Sequence, residues 1–319
     1  MSIFKLPEFF VHTKQTPYYN LWYKDIMKLD EVRKITKNIK AAPVCVLDNT
    51  ANITNASLEH NVTEIWEFTE ENGEAGLHGH HVAGIIACEK YGMSPNVKIG
   101  TFKVLTSGSG YGMSAWIVAG IRKAQAQGYK VINASLGSDT PDAEIKAAIK
   151  DFCAAGGYFI CAAGNDGKET DYPAAWANEI EGVFAIGALY HKDGDRNSLK
   201  VDAYSSSGTV SYVMPGTLIL SSLPDNQYGE LTGTSMATPF FSGLVANILG
   251  IHANLHPKDL VELCNLHCKD VEKGNLKDGN GYPSIYDIII NAKSYTPKYK
   301  YTNNLKKWYC NFLPFLCKK

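Results

Sequence analysis

A chain of 319 residues with 45% hydrophobic and 20% charged residues is long enough to bury a substantial core as one large α/β domain or two small ones. A formal net charge of −1 argues against a whole-chain nucleic-acid footprint, and no run of apolar residues is expected to be long enough to span a bilayer. The first ten residues, MSIFKLPEFF, lack the apolar core and small-residue cleavage site of a secretory leader. The expected setting is therefore cytoplasmic, with the eight cysteines as reduced, buried thiols and not a disulfide framework.

In chain order, 18–28 suits a short helix, and 43–47 is a continuous apolar run ending at Asp48, as in a strand buried on both faces. An acid at the carboxyl end of a parallel strand stands where open α/β sheets place their sites, although it also serves as a cap or turn residue. Residues 49–76 read as polar and irregular, with Glu64, Glu67, Glu70, Glu71 and Glu74 clustered. His78 then opens a small, apolar stretch to Ala87 that reads as an internal helix, with Gly79 permitting close approach of the backbone. His78, His80 and His81 lie too close together to converge on one ion and lack zinc-helix spacing, so no metal site is expected.

Strands are predicted at 97–105, 130–134, 158–162 and 183–188, and helices at 114–127 and 140–154, the latter opened by Thr140-Pro141. A further helix follows Pro257 through Cys264 to Cys268, and an apolar segment ends at Ala292. Alternating strands and helices imply a mostly parallel sheet covered on both faces. Asn165 ends one strand among small residues and offers an amide donor, or serves only as a turn residue. Gly108-Ser109-Gly110 and Ser135-Leu136-Gly137 follow other strands and could present open backbone edges to an extended peptide. Gly233-Thr234-Ser235-Met236-Ala237-Thr238-Pro239 leads into an apolar helix through Leu249. A Ser in the first turn there is an N-cap or a nucleophile beside the positive helix end.

Taken together, Asp48, His78-Gly79-x-His81-Val82-Ala83-Gly84, Ala163-Gly164-Asn165 and Gly233-Thr234-Ser235-Met236-Ala237 resemble the subtilisin-like serine peptidases, whose triad runs Asp, His, Ser. The resemblance extends over about 18–292. It implies an α/β, three-layer subtilisin-like fold with a mostly parallel central sheet and helices on both faces. It further implies Ser235 as nucleophile, His78 as general base and then acid, Asp48 as its partner, and Asn165 as oxyanion donor.

The same resemblance implies that substrate lies as an added strand between Gly108, Ser109, Gly110 and Ser135, Leu136, Gly137. Ala162, Ala163 and Gly164 would wall the P1 pocket, and Asp171 its floor, which would favour Lys or Arg. The glutamates of 64–74 would reinforce that choice by attracting basic substrates. No cofactor is required for this chemistry; structural calcium is possible, although the usual high-affinity loop looks absent. Peptide or protein is the expected partner, with no nucleic acid.

The expected divisions are an N-terminal extension over 1–15, a catalytic domain over 16–294 and a basic, aromatic tail over 295–319. The extension resembles the cleft-covering segment of intracellular relatives, with Pro7 hindering its cleavage. The tail suggests membrane-surface or protein docking. A catalytically silent or occluded member of the same fold, acting as a peptide-binding module, is the alternative. A Ser esterase of the α/β-hydrolase kind is disfavoured by triad order and by the missing second Gly around Ser235.

Overall fold

The computed structural model describes residues 3–6, 10–12, 21–71, 75–191, 198–272 and 276–301. Its elements run β1 (Ile3–Lys5), β2 (Phe10–His12), α1 (Trp22–Ile26), α2 (Leu29–Thr36), β3 (Val44–Asp48), β4 (Val62–Glu67), α3 (Leu77–Ala87), β5 (Ile99–Lys103) and β6 (Tyr111–Met113). They continue with α4 (Ser114–Ala126), β7 (Val131–Ala134), α5 (Ala143–Ala154), β8 (Tyr158–Ala162), β9 (Val183–His191), β10 (Leu199–Val201) and β11 (Tyr212–Pro215). The chain then forms β12 (Ile219–Ser222), β13 (Tyr228–Thr232), α6 (Thr234–Ile251), α7 (Pro257–Asn265) and α8 (Ile285–Ala292).

The main sheet has the order β10-β9-β8-β7-β3-β5-β4, with β11 also pairing with β9. All of its pairs are parallel except β10 with β9. The continuous apolar runs are explained by two cores. Successive side chains of a strand point to opposite faces, so Val44 and Val46 join one buried cluster while Cys45 and Leu47 join the other. Val131 and Ile132 divide in the same way, as do Ile160 and Cys161. The first cluster takes in α3 and α6, and the second α4 and α5, giving a three-layer α/β fold with helices on both faces of a mainly parallel sheet.

Helix α6 is predominantly apolar, and residues 234–249 are all buried. By length and composition it could cross a membrane, contrary to the sequence expectation, but it is the central core helix of this domain. Phe240 lies tilted against Tyr23 with ring centroids 5.6 Å apart, so its bulk is absorbed by packing.

Three local expectations are corrected. The 49–76 stretch contains β4, an edge strand parallel to β5; its alternation of half-buried and exposed residues weakens the apolar signal. Helix α5 starts at Ala143, capped by Asp142, whose Oδ1 accepts from the N–H groups of Glu144 and Ile145 at 2.9 and 3.0 Å. A side chain that satisfies two orphan donors decides the start over Thr140-Pro141. Helix α7 stops at Asn265, and Cys268 instead pairs with Pro283 in a short antiparallel ladder. Among the described residues Cys45, Cys88, Cys153, Cys161, Cys264 and Cys268 are free thiols, and the first five are buried.

Candidate active site

Asp48 terminates β3 at the carboxyl edge of the sheet, and His78 is the second residue of α3. His78 Nδ1 lies 2.8 and 3.0 Å from the two carboxylate oxygens of Asp48, and both side chains are fully buried. A carboxylate only accepts, so the Nδ1 hydrogen points at Asp48 and fixes the ring's tautomer and plane. Gly79 makes the approach possible: a Cβ there would sit 2.7 Å from Thr50 Cγ2 and 3.1 Å from Asp48 Cβ. Asn49 braces the pair from both sides. Its N–H donates to Asp48 Oδ1 at 2.8 Å, and its Oδ1 accepts from Gly79 N–H at 2.9 Å.

Ser235 is the second residue of α6, a helix that packs against α3, and its side chain is buried. The preceding Thr234 is held by Asn165, whose Oδ1 accepts from Thr234 N–H at 2.8 Å and from its hydroxyl at 2.7 Å. With the amide oxygen engaged twice, the NH2 end of Asn165 is turned away from Thr234. The other two histidines of the cluster serve elsewhere. His80 Nε2 accepts from Thr54 N–H at 2.9 Å, and its Nδ1 lies 3.3 Å from Thr50 Oγ1. His81 Nε2 lies 3.1 Å from the Gly229 carbonyl oxygen. Burial lowers both, His80 to about 4 and His81 to about 3, so each is neutral at neutral pH. No group of three or more His, Cys, Asp or Glu side chains suited to a metal occurs among the described residues.

The two predicted cleft edges do present their backbones to an extended strand. It is the chain's own β1. Lys5 exchanges both backbone hydrogen bonds with Gly137 at 3.0 Å, and Leu6 N–H donates to the Gly110 carbonyl at 2.9 Å. Phe4 pairs with Gly112 and is fully buried in the second core cluster, which also holds Leu136. A Cβ on Gly108 would meet nothing within 4 Å, so that part of the rim is open, and Ser109 Oγ lies 2.7 Å from Thr106 Oγ1. Further on, β2 pairs antiparallel with β13, placing Phe10 opposite Thr232, three residues before Ser235. The extension is thus tied to the rims on one side and to the strand leading into Ser235 on the other. Pro7 lies outside the described residues, as do 302–319 of the tail.

Asp171 is half-buried between Gly137 and the predicted pocket wall at Gly164. Its N–H donates to Ala163 C=O at 2.9 Å. A Cβ on Gly137 would come 3.1 Å from its Oδ2, and one on Gly164 2.8 Å. Gly164, at φ +111°, occupies a conformation that a side chain would strain. Ala162 and Ala163 are buried beside it. Burial raises Asp171 to about 6, reinforced by the charges of Asp166 and Asp139 and opposed by Lys5.

The glutamate cluster is not the open acidic patch expected. Lys103, fully buried at the end of β5, lies 3.3 Å from Glu67 and 3.1 Å from Glu71. Glu71 Oε2 also accepts from Ser107 N–H at 2.6 Å, and that bond together with Lys103 holds its carboxyl below the ordinary range. Glu64 accepts from Trp66 Nε1 at 2.9 Å. Two of these charges are engaged with a buried cation and tie the 107–110 rim to the sheet, which weakens the steering argument; Glu74 lies outside the described residues. Asn49, Thr234 and Lys103 were missed from sequence. A lysine inside a strand buried along its whole length was the available signal for the last, visible only once the burial of β5 was known.

Residues 38–282 match the Subtilase family. The chain belongs to that family and is a subtilisin-like serine endopeptidase. It is similar to the major intracellular serine protease of Bacillus subtilis (strain 168), at 35% identity over 66% of this chain and 68% of that protein. It is also similar to the thermophilic serine proteinase of Bacillus sp. (strain AK1), at 32% identity over 66% of this chain and 53% of that protein. Subtilisin DY of Bacillus licheniformis is 37% identical over 58% of this chain and 67% of its own length.

Proposed function

We propose that Ser235, His78 and Asp48 hydrolyse peptide bonds as a triad, with the Asn165 amide and the Ser235 backbone N–H stabilising the oxyanion. Ser235 Oγ attacks the scissile carbonyl carbon while His78 Nε2 takes its proton. The same nitrogen then delivers that proton to the leaving amine, and water repeats the sequence on the acyl-enzyme. Asp48 keeps the imidazole in the required tautomer and stabilises it when charged. The carrying observation is the buried Asp48–His78 pair at 2.8 Å, braced by Asn49 and packed against the helix that bears Ser235. The chemistry asks for no cofactor. A fluorophosphonate should label Ser235, and Ser235→Ala should abolish both labelling and hydrolysis; a Ser235→Ala protein that still cleaves peptides would refute the assignment.

Two finer features belong to this proposal. Asp171, between Gly137 and Gly164, supports a preference for Lys or Arg at P1. The extension, bonded to Gly137 and Gly110 as an added strand, supports inhibition in cis by residues 1–14. A cytoplasmic setting draws support from the intracellular relative. The occupied cleft also favours a second reading, a permanently occluded peptide-binding member of the family. An intact protein that takes no fluorophosphonate and cleaves no peptide, while the trimmed protein is labelled, would select it.

A further inference from the structure

Helix α6 contains Pro239, four residues after Ser235. In an α-helix the carbonyl of residue i accepts from the N–H of residue i+4, and proline has none to give. The Ser235 carbonyl is therefore deprived of its regular intrahelical donor, inside a wholly buried turn. Ser135 supplies a substitute: its hydroxyl donates to the Ser235 carbonyl at 2.9 Å.

Ser135 has one proton to give, and its neighbours determine where that proton goes. Asn133 Nδ2 donates to Ser135 Oγ at 3.1 Å, so the hydroxyl proton is directed to Ser235. The amide of Asn133 is in turn oriented by Ser242, whose hydroxyl donates to Asn133 Oδ1 at 2.8 Å. Ser242 Oγ also lies 3.2 Å from the Thr238 carbonyl, a competing acceptor one turn back along α6. All four residues, Ser242, Asn133, Ser135 and Ser235, are fully buried, so water cannot replace a missing link cheaply.

We propose that Ser242, Asn133 and Ser135 form a positioning relay that holds the nucleophile's backbone at a fixed distance from the cleft wall. The inference rests on Ser235 being the nucleophile. Ser135 belongs to the 135–137 edge, so the relay locks the attacking residue to the element that aligns the peptide. Without Ser242, the Asn133 amide can turn over and present its oxygen to Ser135. The Ser135 proton then goes to Asn133, and the Ser235 carbonyl loses its donor. Small displacements of a reacting group cost up to about 100-fold in rate.

The test measures the second-order rate of fluorophosphonate labelling in the full-length protein, alongside thermal unfolding. Ser135→Ala and Ser242→Ala should each lower the labelling rate about ten-fold at a temperature where both are folded. The double variant should be no slower than Ser135→Ala alone, and Ser242→Thr, which keeps the hydroxyl, should recover most of the rate. A purely structural role would lower the melting temperature and leave labelling per folded molecule unchanged. Additive effects in the double variant, or parent-like labelling of Ser135→Ala, would overturn the relay. If Ser242→Ala does not fold, Ser135→Ala alone decides, because one oxygen is removed without changing the peptide edge. A parent that takes no label, intact or after removal of residues 1–14, would end the nucleophile assignment itself; a labelled parent with unaffected variants ends only the relay.

Discussion

Replacing Asp171 by Asn keeps the shape of the proposed pocket floor and removes its charge. An ammonium about 4 Å from a carboxylate gains about 4 kcal/mol at an effective dielectric constant of about 20. Desolvating both groups takes back part of that, leaving about 1.4–2.8 kcal/mol, or about 10- to 100-fold in preference. The assay is the ratio of kcat/KM for a pair of peptides differing only in Lys or Leu at P1. Taking a ratio cancels whatever fraction of enzyme the extension occludes. The parent should prefer Lys at pH 8 and lose most of that preference by pH 5, because Asp171, raised to about 6 by burial and by Asp166 and Asp139, is then mostly protonated. Asp171→Asn should show the low ratio at both pH values. The stability sign runs the other way. A carboxyl whose folded value lies above its unfolded value favours folding while protonated and loses that contribution as pH rises through about 6. Asp171→Asn should therefore be no less stable than the parent at pH 8. A Lys-to-Leu ratio unmoved by the substitution, or independent of pH in the parent, would refute the assignment.

Asn165→Ala should lower kcat about 10²–10³-fold with KM little changed, the loss seen when one oxyanion donor is removed from a subtilisin-type site; steady-state kinetics on the trimmed protein decide it. Deleting residues 1–14 should raise the initial rate on a short peptide about ten-fold, since a tethered segment competes at an effective concentration in the millimolar range. Adding the free 1–14 peptide should then inhibit at a comparable concentration. Asp142→Ala removes the cap of α5 and the acceptor of a 2.7 Å bond from Ser114 Oγ, and should cost about 1–2 kcal/mol in denaturant unfolding without altering kcat.

The candidate site residues could be nominated from sequence because they stand in short motifs: Gly79 beside His78, small residues around Asn165, and Gly233 before Ser235. Gly79 and Gly164 answer a local demand for close backbone approach, which a sequence expresses within a few positions. The apolar residues of β3, β7 and β8 likewise declared a sheet buried on both faces, since successive ones enter one or the other of two cores. Edge strand β4 was hidden because Glu64 stands on its half-buried face and Ile65 on its exposed face, so the alternation of apolar and polar residues is broken.

Sequence by itself therefore determined the class of fold and nominated the candidate triad, because each nominated residue stands in a short local motif. What only the tertiary structure decided is which distant groups share a charge or a proton. Glu71 is engaged with Lys103, Asp171 faces Gly137 and Gly164, Lys5 pairs with Gly137, and Ser135 donates to a carbonyl that Pro239 cannot serve. The physical reason is range. Propensity and periodicity act over one or two turns, whereas desolvation and pairing energies depend on separations of 3–4 Å that the chain sets only once it is packed.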